Sequence, residues 1–170
     1  MPISREAPTV IRAAGAADIS TVVGLVTQLA SELGTSAELH IDETEWRRNS
    51  LGPSPKFSAL IAERKAEAVG VATYSPLFLP DSGKEALYVH HLYVVESVRR
   101  QGVGKALLAQ IAAQAADKDQ AVIELGTILT TPRRRFFEAV GFHVVAGYAT
   151  YILFGDGLAT LASLGLDGLS

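Results

Sequence analysis

The chain has 170 residues, 48% of them hydrophobic, with a formal charge of -3 and no cysteine. That length fits one domain with a real core, and the apolar content excludes a disordered chain. The charge gives no global pull toward nucleic acid or anionic lipid, and the missing thiols exclude disulfides, zinc–cysteine sites and a cysteine nucleophile.

The opening MPISREAPTVIR has no apolar signal core, and no apolar run reaches the roughly 18 residues of a membrane span. A cytoplasmic protein with no membrane partner is expected. Residues 10–13 read as a first strand. Over 17–33, Ile19, Val22, Val23, Leu25, Val26, Leu29 and Leu33 fall at helical spacing, with Asp18 as N-cap and Gly34 as stop. Residues 42–49 predict a short helix with Trp46 on its buried side. Segments 57–63 and 68–74 read as two strands around a polar turn. Residues 76–84 contain two prolines and read as a loop with the apolar tip Leu77, Phe78 and Leu79.

Next comes ALYVHHLYVVESVRRQGVGKALLAQ from Ala86. Its first part, 87–95, reads as a strand. Simple alternation puts Tyr88, His90, Leu92 and Val94 on one face, and Val89, His91, Tyr93 and Val95 on the other. From Gly104 the apolar positions Leu107, Leu108, Ile111 and Ala115 have helical spacing, and the helix runs to about 117. Between them lies a cationic turn: Arg99, Arg100, Gln101, Gly102, Val103, Gly104 and Lys105. A strand, a glycine-containing turn and a helix N-terminus suit an anion such as a pyrophosphate, because free N–H groups and the helix dipole meet there.

A P-loop fails at this turn, since its first glycine would fall at Arg99 and Ala106 lacks the hydroxyl that holds magnesium. The dinucleotide fingerprint lacks its third small residue, because position 107 is Leu. The pattern R/Q-x-x-G-x-G/A is filled by Arg99, Gly102 and Gly104. With LYV before it and KALL after it, the stretch resembles the acyl-CoA-binding segment of the GNAT superfamily of N-acetyltransferases.

Residues 121–125 read as a fifth strand. The run TILTTPRRRFFEAVGFHVV then resembles the second signature of that superfamily at Phe136, Glu138, Gly141 and Phe142. Thr130 and Arg133 depart from it. So does Phe137, which stands where many members have the tyrosine that protonates the leaving thiolate. Segments 142–146 and 149–154 read as two last strands. The tail 155–170 is rich in leucine, with a short helix over 158–164.

The resemblance spans about 9–154 and implies an α/β GNAT-like acyl-CoA N-acyltransferase fold. That means a mixed sheet of six to seven strands with helices on both faces, in a single domain over 1–170 with 155–170 as a C-terminal tail. It implies acetyl-CoA as cosubstrate, no metal, an amine acceptor, and direct attack in a ternary complex. Backbone groups of Leu92, Tyr93 and Val94 would hold the pantetheine arm and the acetyl carbonyl. Arg99, Arg100, Gln101, Gly102, Val103, Gly104 and Lys105 would hold the pyrophosphate, with Phe136 and Phe137 beside the cofactor. The general base belongs on the strand at Tyr88 or His90, and His90 has the right chemistry, since an unperturbed imidazole titrates near pH 6.5. Leu92 would contribute an oxyanion contact through its backbone. Glu96 is a second candidate base. Tyr148, Tyr151 or water stand in for the missing phenol at Phe137.

Several readings remain open. The acidic residues Asp42, Glu43 and Glu45 either draw a cationic acceptor or form a solvated face. The three arginines Arg133, Arg134 and Arg135 either meet an anion or face solvent. The apolar tip at 77–79 either borders the acceptor or makes a dimer contact. The acceptor is a small molecule or a peptide. The alternative to a transferase is an acyl-CoA-binding module with weak or no transfer, which Phe137 motivates. A homodimer is expected from the family.

Overall fold

A computed structural model describes residues 8–118, 122–128, 130–145, 156–158 and 161. The chain divides into two compact units, Met1–Thr130 and Thr131–Ser170. The first carries a five-stranded sheet in the order β1-β2-β3-β4-β5, with β1 Val10–Ala13, β2 Ser58–Arg64, β3 Glu67–Leu79, β4 Lys84–Val94 and β5 Val122–Leu125. Neighbours are antiparallel except β4 and β5, which run parallel. The parallel connection contains helix α3, Val103–Asp117, as a crossover between parallel strands requires.

Two helices precede β2: α1 at Ile19–Leu33 and α2 at Glu43–Leu51. Val22, Leu25 and Val26 lie three and four residues apart, so they share one stripe of α1. That stripe packs on Ala59, Ile61, Val71 and Tyr93 of the sheet. The opposite face of the sheet takes α3, whose Val103, Leu107 and Ile111 are buried. There a side chain on Gly70 of β3 would press on Val103 and Leu107, both 3.4 Å from its Cβ position. Helices thus cover both faces, as expected.

The end of α1 matches its sequence signal, since Gly34 is left-handed at φ 72° and closes the helix. Its start differs in mechanism. Asp18 precedes α1, but its carboxylate makes no cap bond to the helix. It accepts instead from both terminal nitrogens of Arg12, at 2.7 and 2.8 Å, and from the Gly15 N–H. Arg12 also reaches Glu63, so one guanidinium joins β1, β2 and the entry to α1. The hydrogen bond from Arg12, and then that from Gly15, hold the Asp18 carboxyl down to about pKa 2.

The loop expected over 76–84 is mostly strand. β3 continues to Leu79 and β4 begins at Lys84, leaving only four residues to turn the hairpin. Pro76 pairs opposite Leu87 within it. It is tolerated because β2 stops at Ser58, opposite Tyr74, so the outer edge of β3 is unpaired beyond that point.

The second unit contains α4, Thr131–Ala139. Residues 142–145 carry no strand. The rest of the expected last two strands, at 146 and 149–154, lies outside the described residues, as does most of the tail, where 156–158 and 161 are helical. The sheet therefore shows five strands among the described residues rather than six or seven.

Candidate active site

β4 is held on both sides only over part of its length. Its pairing with β5 runs from Ala86–Val122 to Val89–Leu125 and stops. Its pairing with β3 continues to Val94. Beyond Val89 the β5-side edge of β4 is unpaired among the described residues: the sheet forks there, and the edge faces the gap. The Val95 N–H donates to the Val69 carbonyl at 3.0 Å. Antiparallel pairs alternate between exchanging hydrogen bonds and not, so Tyr93 turns its backbone groups to β3. Those of Leu92 and Val94 turn to the gap.

A β-bulge sits at the fork. Thr73 pairs with His91 and Tyr74 with Val89, so His90 is the extra residue on β4. A bulge re-aims the side chains that follow it. The simple alternation of faces expected from the sequence therefore holds through His90 and is wrong from His91 onward. His91 and Tyr93, opposite Thr73 and Val71, lie on the α1–α2 face, and Leu92 and Val94, opposite Ala72 and Gly70, lie on the α3 face. His90 joins Tyr88, their ring centroids 5.0 Å apart. Both histidines and Tyr88 are thus brought together on one side of the strand.

The two imidazoles differ in what holds them. His91 Nδ1 lies 2.7 Å from the hydroxyl of buried Thr73, and Trp46 of α2 covers the ring at 6.1 Å. Burial, and then the nearby His90, push its pKa down to about 4. His90 Nε2 lies 2.8 Å from the Ser75 hydroxyl and is more exposed; burial lowers its pKa from 6.5. Both rings are neutral at pH 7. His91 has a consequence for stability. Its pKa is 6.5 in the open chain and about 4 when folded, so the unfolded chain binds the proton first as pH falls. Stability from this group is intact above 6.5 and is lost as the pH falls toward 4. Urea midpoints of the parent should drop across that window, and those of His91→Gln should drop less. Equal slopes would remove His91 as the cause.

Within the cationic turn, Arg99 is committed elsewhere. Its terminal nitrogen contacts both Glu32 oxygens, at 2.6 and 2.8 Å. Its Nε donates to the Val94 carbonyl at 2.8 Å, and its guanidinium lies over the Tyr93 ring at 5.4 Å. The Tyr93 hydroxyl in turn lies 3.0 Å from Glu32. Arg99 thus ties the turn to α1 and takes one of the carbonyls facing the gap. Gln101 is held by Arg64 from the end of β2. Arg100 at φ 63° and Gly102 at φ 84° are both left-handed. The first backbone bond into α3 runs from the Ala106 N–H to the Gly102 carbonyl, which leaves the N–H groups of Val103, Gly104 and Lys105 as helix-end donors. The Val103 side chain is buried. Arg100 and Lys105 are without an ion pair among the described residues.

The acidic residues of α2 have partners of their own. Asp42 caps the helix, accepting from the N–H groups of Thr44 and Glu45. Glu43 accepts from Ser20, and Glu45 from Arg48. In the second unit, the Phe137 ring packs between Phe136 and Phe142, at 5.1 and 5.8 Å. The Phe142 N–H closes the helix end on the Phe137 carbonyl. Arg134 pairs with Glu138 along α4. Tyr148 and Tyr151 lie outside the described residues. Among the described residues no helix is long and apolar enough to cross a membrane.

Sequence reasoning missed Ser75, Glu32 and Gly126. The first two are ordinary residues that matter only through distant partners. Gly126 follows β5 directly, and a side chain there would come within 2.9 Å of the Tyr88 hydroxyl. A glycine just past a strand beside a proposed cofactor turn was its one visible signal.

Comparison with known proteins agrees with this architecture. The model of the acetyltransferase (GNAT) family matches residues 25–142. A thialysine N-epsilon-acetyltransferase from Sus scrofa is 25% identical over 155 residues, covering 81% of this chain and 91% of the relative. Among solved structures, an integron cassette protein from the mobile metagenome of V. cholerae superposes with a TM-score of 0.71 at 20% identity, covering 91% of this chain and 97% of that one. An aminoglycoside acetyltransferase from an uncultured soil metagenomic sample gives 0.68 at 19% identity, covering 85% and 97%. The chain belongs to the acetyltransferase (GNAT) family, and is an acyl-CoA-dependent N-acetyltransferase.

Proposed function

We propose that the chain transfers acetyl from acetyl-CoA to a primary amine by direct attack in a ternary complex. The observation that carries this reading is the fork of β4 and β5 beside the Arg99–Lys105 turn. An extended thioester arm fits along the free edge of β4, where the backbone groups of Leu92 and the Val94 N–H face the gap. The helix-end N–H groups of Val103, Gly104 and Lys105, with the side chains of Arg100 and Lys105, suit the pyrophosphate. Arg99 supports the site indirectly, through the Val94 carbonyl and Glu32. Phe136 and Phe137 are assigned to the cofactor side by resemblance alone.

In this reading His90 is the general base. It is neutral at physiological pH, it projects from the bulge, and Ser75 orients its ring. An N–H of the free edge at Leu92 would meet the oxyanion that forms as the amine attacks. Direct attack needs no nucleophilic side chain, and the chain has no cysteine to offer one. The acceptor is a small molecule or a peptide N-terminus, in a cytoplasmic protein that acts as a homodimer without nucleic acid or a membrane.

The test is calorimetric titration with acetyl-CoA, repeated on the Gly102→Ala/Gly104→Ala variant. Alanine at Gly102 opposes its φ of 84°. Binding by the parent and its loss in the variant support the donor site. A panel of thialysine, an aminoglycoside and a short peptide then reads transfer. Binding without transfer to any amine supports the alternative, a binding module; no binding overturns both.

A further inference from the structure

The family signature leaves the departing thiolate without a phenol at position 137, and the fork supplies one from another element. Tyr88 stands on β4 opposite Glu124 of β5. Its side chain reaches just past the end of β5, to Gly126, where an added Cβ would lie 2.9 Å from the hydroxyl. That places the hydroxyl at the mouth of the fork, because the last β4–β5 pair is Val89 with Leu125. Its ring meets His90 edge to face at 5.0 Å. Among the described residues no hydrogen bond is made to the Tyr88 hydroxyl. A half-buried phenol with no partner among the described residues, held against a glycine at the point where the two strands part, is poised toward whatever occupies the gap.

We propose that Tyr88 is the proton donor to the departing coenzyme A thiolate. This rests on the donor site proposed above, with the thioester at the fork. The amine nitrogen bonds to the acetyl carbon as the C=O π pair moves onto oxygen, to return when the C–S bond breaks, and the nitrogen gives a proton to His90. As the tetrahedral intermediate collapses, the C–S bond breaks and its electron pair goes to sulfur. The Tyr88 O–H bond breaks and its proton joins that sulfur. His90 then releases its proton to water, and the Tyr88 phenolate regains one from water. The net change moves one proton from nitrogen to sulfur, with no other reactant. Gly126 is the positioning residue, since any larger side chain displaces the hydroxyl.

The test uses acetyl-CoA with the panel amine that the parent acetylates fastest. Tyr88→Phe keeps the ring against His90 and removes only the hydroxyl. Its kcat should fall by about 10²-fold, the lower end of what a general acid contributes. Calorimetric acetyl-CoA binding and the thermal midpoint should be unchanged. The alkaline limb of the kcat–pH profile should vanish in this variant, and 3-fluorotyrosine at position 88 should shift it to lower pH by lowering the phenol pKa. Gly126→Ala should lower kcat with acetyl-CoA binding retained. Parental kcat and an intact alkaline limb in Tyr88→Phe overturn the proposal, as does loss of that limb only in Tyr148→Phe or Tyr151→Phe. A parent that binds no acetyl-CoA overturns the donor site itself, an outcome the calorimetry separates from the others.

Discussion

His90→Ala is expected to lower kcat by about 10²–10⁴-fold, the range a positioned general base contributes, with acetyl-CoA affinity close to that of the parent. The variant removes the imidazole whose Nε2 lies 2.8 Å from the Ser75 hydroxyl. It leaves the turn and the free edge of β4 in place. The pH dependence gives the sharper reading. Burial lowers the His90 pKa from 6.5, so the neutral, proton-accepting form persists as the medium becomes acidic. The parent's kcat/KM should therefore hold through pH 6.5 and fall only below it. That acid limb should be absent from His90→Ala. His91 cannot substitute, because its Nδ1 is engaged by Thr73 and Trp46 covers its ring. Ser75→Ala should cost less, since it frees the ring without removing the base. An acid limb that survives in His90→Ala at parental kcat would move the base to Glu96, the next carboxylate beyond the strand.

How much of this site is visible in the sequence follows from how local each feature is. The period of α1 and α3, the stop at Gly34, and the strand–turn–helix at 87–117 depend on neighbours a few residues away. All three are legible. The faces of β4 are not. They depend on counting residues between two paired strands, and the count changes by one where Thr73 and Tyr74 meet His91 and Val89. Nothing in the string HHLYV announces that. Pro76 reads as a breaker because the sequence does not show that β2 ends at Ser58 and leaves β3 an edge there. Arg99 is legible as part of a cationic turn, but its partner Glu32 lies 67 residues away. The motif points to an anionic ligand by its charge and its glycines. Only the fold shows which of its cations are left for that ligand.

Gly70→Val is expected to destabilise the first unit by about 3 kcal/mol, the upper end of the usual cost of overpacking a core. Strand propensity alone favours the substitution, since valine is a better strand former than glycine. The packing decides otherwise. The Cβ of any residue there would stand 2.9 Å from the Tyr93 carbonyl oxygen, a backbone atom of β4. The next nearest atoms are Leu107 Cδ1 and Val103 Cγ1, each 3.4 Å away on α3. Leu107 is fully buried and Val103 is 2% exposed, so neither has room to rotate aside. The strain must go into the β3–β4 pairing or lift the first turn of α3. That first turn carries the N–H groups assigned to the pyrophosphate. Acetyl-CoA affinity should therefore fall together with stability, even where the variant is still folded. Gly24→Ala is the control within the same unit. Gly24 lies inside α1 with nothing within 4 Å of its Cβ position, so alanine there should stabilise by about 0.5–1 kcal/mol and leave acetyl-CoA binding alone. Urea unfolding and calorimetry on the two variants give the answer. If Gly70→Val unfolds at the parental midpoint, α3 does not sit as closely on the sheet as this packing requires. If it is destabilised but binds acetyl-CoA with parental affinity, the pyrophosphate is not held by the first turn of α3.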